Sequence, residues 1–346
     1  LTKKYFTIAV SGTHGKSTTT AMIGLILVKA KLDPTVIVGT KLKEFGDSNF
    51  RLGRKISQIQ NTKYKILVIE ADEHLASFLN YWPKIIVLTA LETDHLDYYK
   101  NLRNILKTFK EYVNHLPKDG YLIANEDDKN IHNTFSTAVK NVSWYSLKQK
   151  ETKRLKKILK IPGEHNVSNA LASLAVARIL KIPDKISFKA LSEYRGSWRR
   201  FEITKVLSPK PYTLISDYGH HPTEIRVTLK AAREKWPKRE IWCVFQPHQY
   251  QRTYYLFNDF IKVFRQAPVD RLIVTDIYDV AGRETPKIRK KVSSEKLIKR
   301  VNQKKAIYLP KAKILAYLKK NLKGGEAVVI MGAGNIYDLA LKLKNK

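Results

Sequence analysis

The stretch Ser11-Gly12-Thr13-His14-Gly15-Lys16-Ser17-Thr18-Thr19-Thr20 lies between an apolar run, Tyr5 to Val10, and a helical pattern over Thr18 to Ala30. A glycine-rich turn between a strand and a helix is the setting of a phosphate-binding loop. Gly12 and Gly15 permit tight turning and close approach of the backbone, so that its N–H groups and the helix N-terminus face the phosphates. The stretch therefore predicts nucleotide binding within an α/β domain.

Lys16 and Ser17 carry the chemistry predicted for this loop. The lysine can reach the β- and γ-phosphates of a nucleoside triphosphate, and the serine hydroxyl can ligate Mg²⁺. The spacing departs from the standard G-x-x-x-x-G-K-[ST], because Val10 stands at the first glycine position. The alternative is a glycine-rich turn that binds no nucleotide, which the Lys-Ser pair at a helix start disfavours.

Short apolar runs alternate with helical patterns along the chain, which predicts βαβ units and mainly parallel sheets. Beyond Tyr5 to Val10, strands are expected at these runs: Ile66 to Ile69, Ile85 to Thr89, Tyr212 to Ser216, Ile241 to Phe245, Leu272 to Thr275 and Ala327 to Met331. The pattern changes around Tyr194 to Phe201, which places a domain boundary near residue 196. The expected fold class is α/β, with a P-loop ATPase domain over 1–195 and a Rossmann-like domain over 196–346.

Acidic residues follow two of the predicted strands. Glu70-Ala71-Asp72-Glu73 comes directly after one strand, and Glu92-Thr93-Asp94-His95 comes shortly after the next. Because strand ends in an open α/β sheet face the ligand crevice, Glu70 is predicted to hold a phosphate-bound Mg²⁺. His95 is a candidate ligand for a second metal, although Mg²⁺ more commonly takes oxygen ligands. The alternative is that these residues are polar caps and turn residues.

The composition excludes several classes of protein. The 346 residues carry a net charge of +33, from 64 Lys plus Arg against 31 Asp plus Glu, and 43% hydrophobic residues exclude a disordered chain. The basic residues are spread out and carry no nucleic-acid-binding signature, so no nucleic-acid partner is expected. No apolar run approaches the ~20 residues that span a bilayer, so no membrane insertion is expected. The single cysteine, Cys243, is interpreted as a core residue and fits the reducing cytoplasm.

Five further motifs follow along the chain: Pro162-Gly163-Glu164-His165-Asn166-Val167-Ser168-Asn169-Ala170, Arg199-Arg200-Phe201-Glu202, Asp217-Tyr218-Gly219-His220-His221-Pro222-Thr223-Glu224, Phe245-Gln246-Pro247-His248-Gln249-Tyr250-Gln251-Arg252-Thr253 and Met331-Gly332-Ala333-Gly334-Asn335. With the phosphate loop, this ordered set resembles the Mur ligases, the ATP-dependent amide ligases of peptidoglycan synthesis. The D-Y-G-H-H-P-T-E and F-Q-P-H segments most resemble the members that join L-alanine to UDP-N-acetylmuramate. The resemblance implies three domains, and we expect that the first, a UDP-binding domain, is not in this sequence.

The resemblance implies ATP and Mg²⁺ as cofactors, and UDP-N-acetylmuramate and L-alanine as substrates that are joined through an acyl phosphate. The catalytic residues that it implies are Lys16, His95, Arg200, His220 and Arg252. The residues implied to bind ATP are Gly12, Thr13, His14, Gly15, Lys16, Ser17, Thr18, Asn166, Asn169, Arg200, Asp217 and Tyr218. Among these the asparagines would contact the adenine and Asp217 the ribose. The implied magnesium ligands are Ser17 or Thr18, Glu70 and His95.

Other roles stay open for some of these residues. Asn166 and Asn169 could cap a helix, and Arg199 with Arg200 could form a solvated linker. His221 before Pro222 could simply begin a helix. Four sites depart from the family pattern, which has Asn, Ser-Asp, Arg and Asp where this chain has Ala90, His74-Leu75, Gln249 and Asn335.

Two rival functions follow from these departures and from the charge. The first is the related ligase that attaches a preformed tripeptide to UDP-N-acetylmuramate during cell-wall recycling. The second is a non-catalytic module that binds ATP or nucleic acid. For the ligase, two domains that carry ATP and amino-acid contacts separately imply closure over the substrates, and Tyr194 to Phe201 is the candidate hinge.

Overall fold

Two compact units divide the chain, Leu1–Trp198 and Arg199–Lys346. The computed structural model describes residues 2–59, 62–137, 141–207, 209–281 and 286–344. Each unit is built around one mainly parallel sheet with helices packed on its faces. The predicted α/β fold class is therefore confirmed. Within the described residues, no helix combines the length and the apolarity needed to cross a membrane.

The first unit holds a seven-stranded sheet of order β3-β2-β6-β1-β7-β8-β9, in which β3 pairs antiparallel with β2 and the other pairs are parallel. The strands of this unit are β1 (Phe6–Ser11), β2 (Thr35–Leu42), β3 (Ser48–Arg51), β4 (Ser57–Ile59), β5 (Thr62–Tyr64), β6 (Ile66–Glu70), β7 (Ile85–Leu88), β8 (Tyr121–Asn125) and β9 (Val142–Tyr145). Strands β4 and β5 form a separate antiparallel pair. Its α-helices are α1 (Lys16–Lys29), α2 (Leu96–Tyr99), α3 (Leu102–Val113), α4 (Lys129–Phe135), α5 (Glu151–Ile158), α6 (Glu164–Ile179) and α7 (Asp184–Glu193). Two 3₁₀ segments span Lys43–Phe45 and His74–Asn80.

Buried β1 shows why this sheet is covered on both faces. Ile8 and Val10 pack into a cluster with residues of α1, α6 and α7, whereas Ala9 packs into a second cluster with residues of α3 and α4. Successive side chains of a strand point to opposite faces, so an apolar run without alternation requires a helical layer on each side. The continuous apolar run that predicted β1 is explained by this double burial.

The second unit holds a six-stranded sheet of order β10-β11-β15-β12-β13-β14, in which β10 is antiparallel to β11 and the remaining pairs are parallel. Its strands are β10 (Glu202–Val206), β11 (Tyr212–Asp217), β12 (Ile241–Phe245), β13 (Arg271–Val274), β14 (Ala306–Tyr308) and β15 (Ala327–Met331). Its helices are α8 (Pro222–Lys235), α9 (Tyr250–Tyr255), α10 (Phe257–Gln266), α11 (Pro286–Arg289), α12 (Ser294–Val301), α13 (Lys311–Asn321) and α14 (Tyr337–Lys344). Cys243 is fully buried in β12, as predicted for a core residue.

Sheet topology brings the predicted functional loops of each unit to one edge. In the first unit β1 lies between β6 and β7, and Val10 is paired with Glu70 while Ser11 is paired with Leu88. In the second unit β15 lies between β11 and β12, with Met331 paired to both Asp217 and Phe245. Parallel strands end at the same edge of a sheet, where open α/β folds bind ligands. The loops that follow these strands are therefore neighbours within each unit.

Candidate active site

The loop between β1 and α1 depends on glycine at two positions. Gly12 has φ +126° and Gly15 has φ +85°, both in the region that L side chains rarely adopt. A Cβ atom on Gly12 would lie 2.5 Å from Thr89 Oγ1, and one on Gly15 would lie 2.5 Å from Asn169 Oδ1. The loop therefore needs glycine both for its backbone conformation and for its close packing. Helix α1 begins at Lys16, so the lysine lies in its first turn.

Lys16 is held beneath this loop by a buried ion pair. Its Nζ donates to the Gly12 carbonyl at 2.7 Å and to the two Glu73 oxygens at 3.0 and 2.8 Å, with Asp72 Oδ1 3.8 Å away. Burial alone lowers the pKa of Lys16, but the carboxylates of Glu73, Asp72 and Glu70 outweigh it, so the pKa is raised. The ammonium therefore stays charged at the point where a phosphate loop presents its cation.

Glu70 and Ser17 place two oxygen donors side by side at the start of α1. The Ser17 hydroxyl donates to Glu70 Oε1 at 3.0 Å, and the Gly39 N–H donates to Glu70 Oε2 at 2.6 Å. The carboxylate is thus fixed from both sides. A hydroxyl and a carboxylate are oxygen ligands of the class that Mg²⁺ takes in proteins. These residues fit the magnesium site predicted for them, while Thr18 is buried in the same turn of α1.

A second group of possible cation ligands lies beside Glu73. The ligand atoms of Asp72, Glu73 and His95 all lie within 4.8 Å of one another. His95 Nε2 is 4.0 Å from Glu73 Oε1 and 3.9 Å from Asp94 Oδ2. The structure therefore brings His95 to the carboxylates that surround Lys16.

Thr13 and His14 tie the phosphate loop to the segment after β7. The Thr13 N–H donates to the Ala90 carbonyl at 2.8 Å, and Thr13 Oγ1 accepts from the Glu92 N–H at 2.9 Å. His14 Nε2 lies 3.2 Å from Glu92 Oε2. Both loop residues predicted to bind ATP are thus positioned by contacts that the sheet order makes possible.

The two asparagines predicted at the adenine lie inside α6. Gly163 is the N-cap of this helix, so neither Asn166 nor Asn169 occupies the capping position. The Asn166 side chain donates to the Pro162 carbonyl at 2.6 Å. Asn169 is buried against Gly15 of the phosphate loop, as the close approach to its Oδ1 shows. The structure brings Asn169 to the loop, and its role with ATP stays a prediction.

In the second unit, Arg199 and Arg200 have different environments. Arg199 is 7% exposed, its guanidinium donates to the Gly332 carbonyl, and it lies 5.0 Å from the centre of the Tyr218 ring. The alternative of a solvated linker is therefore wrong for Arg199. Arg200 also lies over the Tyr218 ring at 5.0 Å, and its NH1 is 3.7 Å from Glu224 Oε1. Both guanidinium groups thus make cation–π contacts with the Tyr218 ring.

Asp217, at the end of β11, is buried and directed at the backbone. Its Oδ2 accepts from the Phe201 N–H at 2.8 Å and its Oδ1 from the Gly219 N–H at 2.7 Å. Burial raises the pKa of Asp217 to about 6, although Arg200 and the two N–H groups lower it. In this structure each Asp217 carboxylate oxygen already accepts a backbone hydrogen bond. The ribose contact of Asp217 stays a prediction.

Replacing Asp217 by asparagine is expected to flatten the pH dependence of stability. The folded pKa of about 6 exceeds the ordinary 3.8, so the contribution is present below pH 3.8 and is lost as pH rises through 6. The loss is at most about 3 kcal/mol. Urea unfolding of the wild type at pH 4 and pH 7 should show this loss, whereas Asp217→Asn should lack it. An exposed control, Asp338→Asn, should keep the wild-type difference in unfolding free energy between pH 4 and pH 7. The same difference in all three proteins would rule the burial effect out.

His248 joins the two residues predicted for the amino-acid cleft. Arg252 NH1 donates to His248 Nδ1 and to the His248 carbonyl, each at 3.3 Å. The His248 ring lies 5.7 Å from the His220 ring and stacks on Tyr278 at 5.4 Å and 14°. Arg252 is buried. The structure therefore brings His220 and Arg252 into one cluster of the second unit.

Comparison with known proteins agrees with this arrangement of motifs. The Mur ligase middle domain matches residues 10–177, and the Mur ligase glutamate ligase domain matches residues 199–334. The UDP-N-acetylmuramate–L-alanine ligase of Acetivibrio thermocellus is 40% identical over an alignment that covers 99% of this chain and 76% of the relative. The chain belongs to the Mur ligase family. The resemblance seen in its sequence is thereby confirmed.

Further relatives of this Mur ligase are a second L-alanine ligase and two solved structures. The UDP-N-acetylmuramate–L-alanine ligase of Clostridium tetani is 40% identical over an alignment that covers 97% of this chain and 76% of that protein. The crystal structure of the UDP-N-acetylmuramate–alanine ligase of Thermotoga maritima matches with a TM-score of 0.72 and 27% identity, over 99% of this chain and 75% of that one. A murein peptide ligase of Psychrobacter arcticus, at 22% identity and a TM-score of 0.67, shares the fold over 99% of this chain and 78% of its own.

The positions at which this Mur ligase departs from the family pattern have defined contacts. The Ala90 carbonyl accepts a hydrogen bond from the Thr13 N–H. The ring of His74 packs on the ring of His95, with 4.8 Å between the ring centres. Gln249 is buried, and its N–H donates to the Tyr278 carbonyl at 2.9 Å. Asn335 Oδ1 accepts from the side-chain amide of Gln246 at 3.0 Å.

Three residues of the candidate site were quoted in the sequence motifs without a role. Glu73 was part of the acidic run after β6, His248 part of the F-Q-P-H segment, and Glu224 the last residue of D-Y-G-H-H-P-T-E. The acidic run was a signal for Glu73, and the spacing of Glu224 three residues after His221 was a signal for a capping box. The pairing of Glu73 with Lys16, 57 residues away, requires the tertiary structure, whereas His248 and Glu224 contact residues three or four positions away in sequence.

Proposed function

We propose that this Mur ligase joins L-alanine to the carboxylate of UDP-N-acetylmuramate at the expense of ATP, in peptidoglycan precursor synthesis. The 40% identity to the ligase of Acetivibrio thermocellus over 99% of the chain supports this proposal most directly. UDP-linked sugars and ATP are cytoplasmic metabolites, so the proposal includes a cytoplasmic location. The site assignments below belong to the same proposal.

Activation of the carboxylate is assigned to the first unit. A carboxylate is a poor acyl donor, so an oxygen of UDP-N-acetylmuramate attacks the γ-phosphorus of ATP and ADP leaves, which gives an acyl phosphate. Lys16 neutralises the transferred phosphoryl group, and the loop N–H groups around Gly12 and Gly15 position it. Ser17 and Glu70 would hold Mg²⁺, with His95 at a second ion. The ions supply charge neutralisation at the phosphates when they are bound.

Amide formation is assigned to the second unit. His220 Nδ1 lies 3.3 Å from the Tyr218 carbonyl and 3.6 Å from Glu224 Oε2. The Tyr218 carbonyl is an acceptor, so we assign the proton of the neutral ring to Nδ1 and the lone pair to Nε2. His220 Nε2 is therefore the candidate base for the ammonium group of L-alanine. Arg252 is a cation suited to the amino-acid carboxylate, through a charge-assisted and potentially bidentate contact.

The proton and electron balance of the second step is complete with these groups. The ammonium gives one proton to His220 Nε2, and the freed lone pair forms the C–N bond at the acyl carbon. The tetrahedral intermediate then breaks its C–O bond to phosphate, and the electron pair leaves on that oxygen. The departing phosphate takes the second nitrogen proton as the amide forms, and no side-chain nucleophile is required.

ADP release in the presence of ATP, Mg²⁺ and UDP-N-acetylmuramate tests the proposal. L-Alanine is expected to stimulate release and to appear in the product. A preformed tripeptide serves as the second acceptor and tests the recycling ligase as the rival function. Stimulation by the tripeptide alone would contradict the L-alanine assignment, and salt-sensitive oligonucleotide binding without any turnover would favour the non-catalytic module.

A further inference from the structure

Lys16 of the phosphate loop uses all the hydrogen-bond donors of its ammonium group on partners within the first unit. Its Nζ donates to the Gly12 carbonyl at 2.7 Å, to Glu73 Oε1 at 3.0 Å and to Glu73 Oε2 at 2.8 Å. A lysine ammonium has three N–H donors, so these three contacts account for all of them. A lysine at this position of a phosphate loop reaches the β- and γ-phosphates. Lys16 must therefore exchange one of these partners when it contacts a phosphate oxygen.

The contact with Gly12 is more rigid than the contact with Glu73. The Gly12 carbonyl belongs to the loop backbone, and a Cβ atom on Gly12 would lie 2.5 Å from Thr89 Oγ1, so the loop is closely packed there. Glu73 reaches Lys16 through a side chain, whose dihedral angles can rotate between staggered states. The Glu73 backbone is itself held, since its carbonyl accepts from the Tyr99 hydroxyl. The exchange therefore requires only rotation of the Glu73 side chain.

We propose that Glu73 lowers the affinity of the phosphate loop for ATP by competing with the phosphates for Lys16, and this inference rests on the proposed function. Without nucleotide, the Glu73 carboxylate neutralises the ammonium. When ATP binds, a phosphate oxygen replaces a Glu73 oxygen as the acceptor from Lys16 Nζ, while the Gly12 carbonyl keeps its contact. When ADP leaves, Glu73 accepts from Lys16 again. Glu73 thereby determines how tightly the loop holds its nucleotide.

Distance and burial distinguish Glu73 from the other two carboxylates near Lys16. Asp72 Oδ1 lies 3.8 Å from Lys16 Nζ, beyond hydrogen-bond distance, and the Asp72 side chain is 59% exposed, so that water screens its charge. Both oxygens of Glu70 accept from other groups of the site. The Glu73 side chain is 4% exposed, and a charge-assisted bond is screened little at such a position. Of these three carboxylates, Glu73 is the one that competes directly with a phosphate.

Isothermal titration of the full chain with Mg²⁺ and AMP-PNP, a non-hydrolysable ATP analogue, measures this competition without turnover. Glu73→Gln removes the negative charge, and glutamine keeps one side-chain oxygen that can accept from Lys16 Nζ. The Kd for AMP-PNP is expected to fall about tenfold, because the substitution weakens a bond to a charged group chiefly in the nucleotide-free state. An unchanged or higher Kd would overturn the inference, since a residue that only positions Lys16 should weaken binding when it is replaced.

Two control variants separate this inference from a general charge effect and from the proposed function. Glu193→Gln removes a charge of the same sign from an exposed pair with Lys29 of α1, 2.6 Å apart, and its Kd should match that of the wild type. An equal fall in Kd in both glutamine variants would assign the gain to net charge and refute the inference. Lys16→Met should bind AMP-PNP more weakly than the wild type. Equal affinity would contradict the proposed placement of Lys16 at the phosphates, whereas weaker binding there with no gain in Glu73→Gln would refute this inference alone.

A crystal structure of the wild type with AMP-PNP and Mg²⁺ tests the exchange of partners without a variant in which a buried pair is broken on one side. We expect Lys16 Nζ to lie within about 3.2 Å of the Gly12 carbonyl oxygen and of a β- or γ-phosphate oxygen. At least one Glu73 oxygen should then lie beyond about 3.5 Å from Nζ. Both Glu73 oxygens still in hydrogen-bond distance of Nζ beside the bound nucleotide would show that the two anions do not compete.

Discussion

Replacing Lys16 by methionine is expected to lower L-alanine-dependent ADP release by about 10³-fold, the scale of losing a fixed charge at a transferred phosphoryl group. The same change leaves Glu73, which is 3% exposed, without the cation that lies 2.8 Å from it. Breaking a buried pair on one side costs about 3 kcal/mol or more of unfolding free energy. The rate of ADP release and the free energy of unfolding in urea should therefore both be lower in Lys16→Met than in the wild type.

Two further variants separate the catalytic effect of Lys16 from its effect on stability. Lys16→Met combined with Glu73→Gln removes both charges, so stability should return towards the wild-type value while activity does not. Lys29→Met on the same helix removes a lysine from an exposed pair with Glu193, at a cost of less than about 1 kcal/mol and with activity kept. Recovery of activity in the double variant would show that Lys16 acts only through folding.

Replacing His220 by asparagine is expected to block the second step selectively. The asparagine amide can reproduce the Nδ1–H donation to the Tyr218 carbonyl, but it has no group at the position of Nε2. Loss of a general base should lower kcat/KM for L-alanine by about 10²–10⁴-fold. Formation of the acyl phosphate should continue, so that hydroxylamine traps more hydroxamate from this variant than from the wild type under turnover.

The control for His220→Asn is the same change at His115, in the first unit. His115 Nδ1 also bonds to a carbonyl, that of Tyr81 at 2.9 Å, and it has no assigned role in the reaction. His115→Asn should leave both steps at wild-type rates. Equal loss of hydroxamate formation and of amide formation in His220→Asn would contradict its assignment to the amine step.

The elements of the fold could be predicted from sequence because the signals are local. The apolar run of β1 and the Lys-Ser pair at the start of α1 are each short and continuous in sequence. Glu70 and Asp217 stand directly at the ends of the apolar runs that predict their strands. Periodicity and turn chemistry act over these short distances. Strand order was not predictable in this way, because the pairing of β1 with β6 and β7 is set by packing of the whole unit.

The contacts of the site could be predicted only where they are local to a motif. Glu73 lies 57 residues from Lys16 in sequence, and their pairing depends on β6 lying beside β1. The direction of the Asp217 carboxylate towards the Phe201 and Gly219 N–H groups follows from the backbone of two segments. Burial and hydrogen-bond direction of this kind depend on the three-dimensional structure, whereas residue type and spacing suggested that these positions were polar and functional.

Transfer of oxygen from the substrate carboxylate to phosphate tests the central claim most directly. UDP-N-acetylmuramate labelled with ¹⁸O in its carboxylate is incubated with the protein, ATP, Mg²⁺ and L-alanine, and the released inorganic phosphate is analysed by mass. An acyl-phosphate path predicts one carboxylate oxygen in each phosphate, because the C–O bond to that oxygen breaks when the amide forms. Phosphate that carries no label while the amide accumulates would contradict the account.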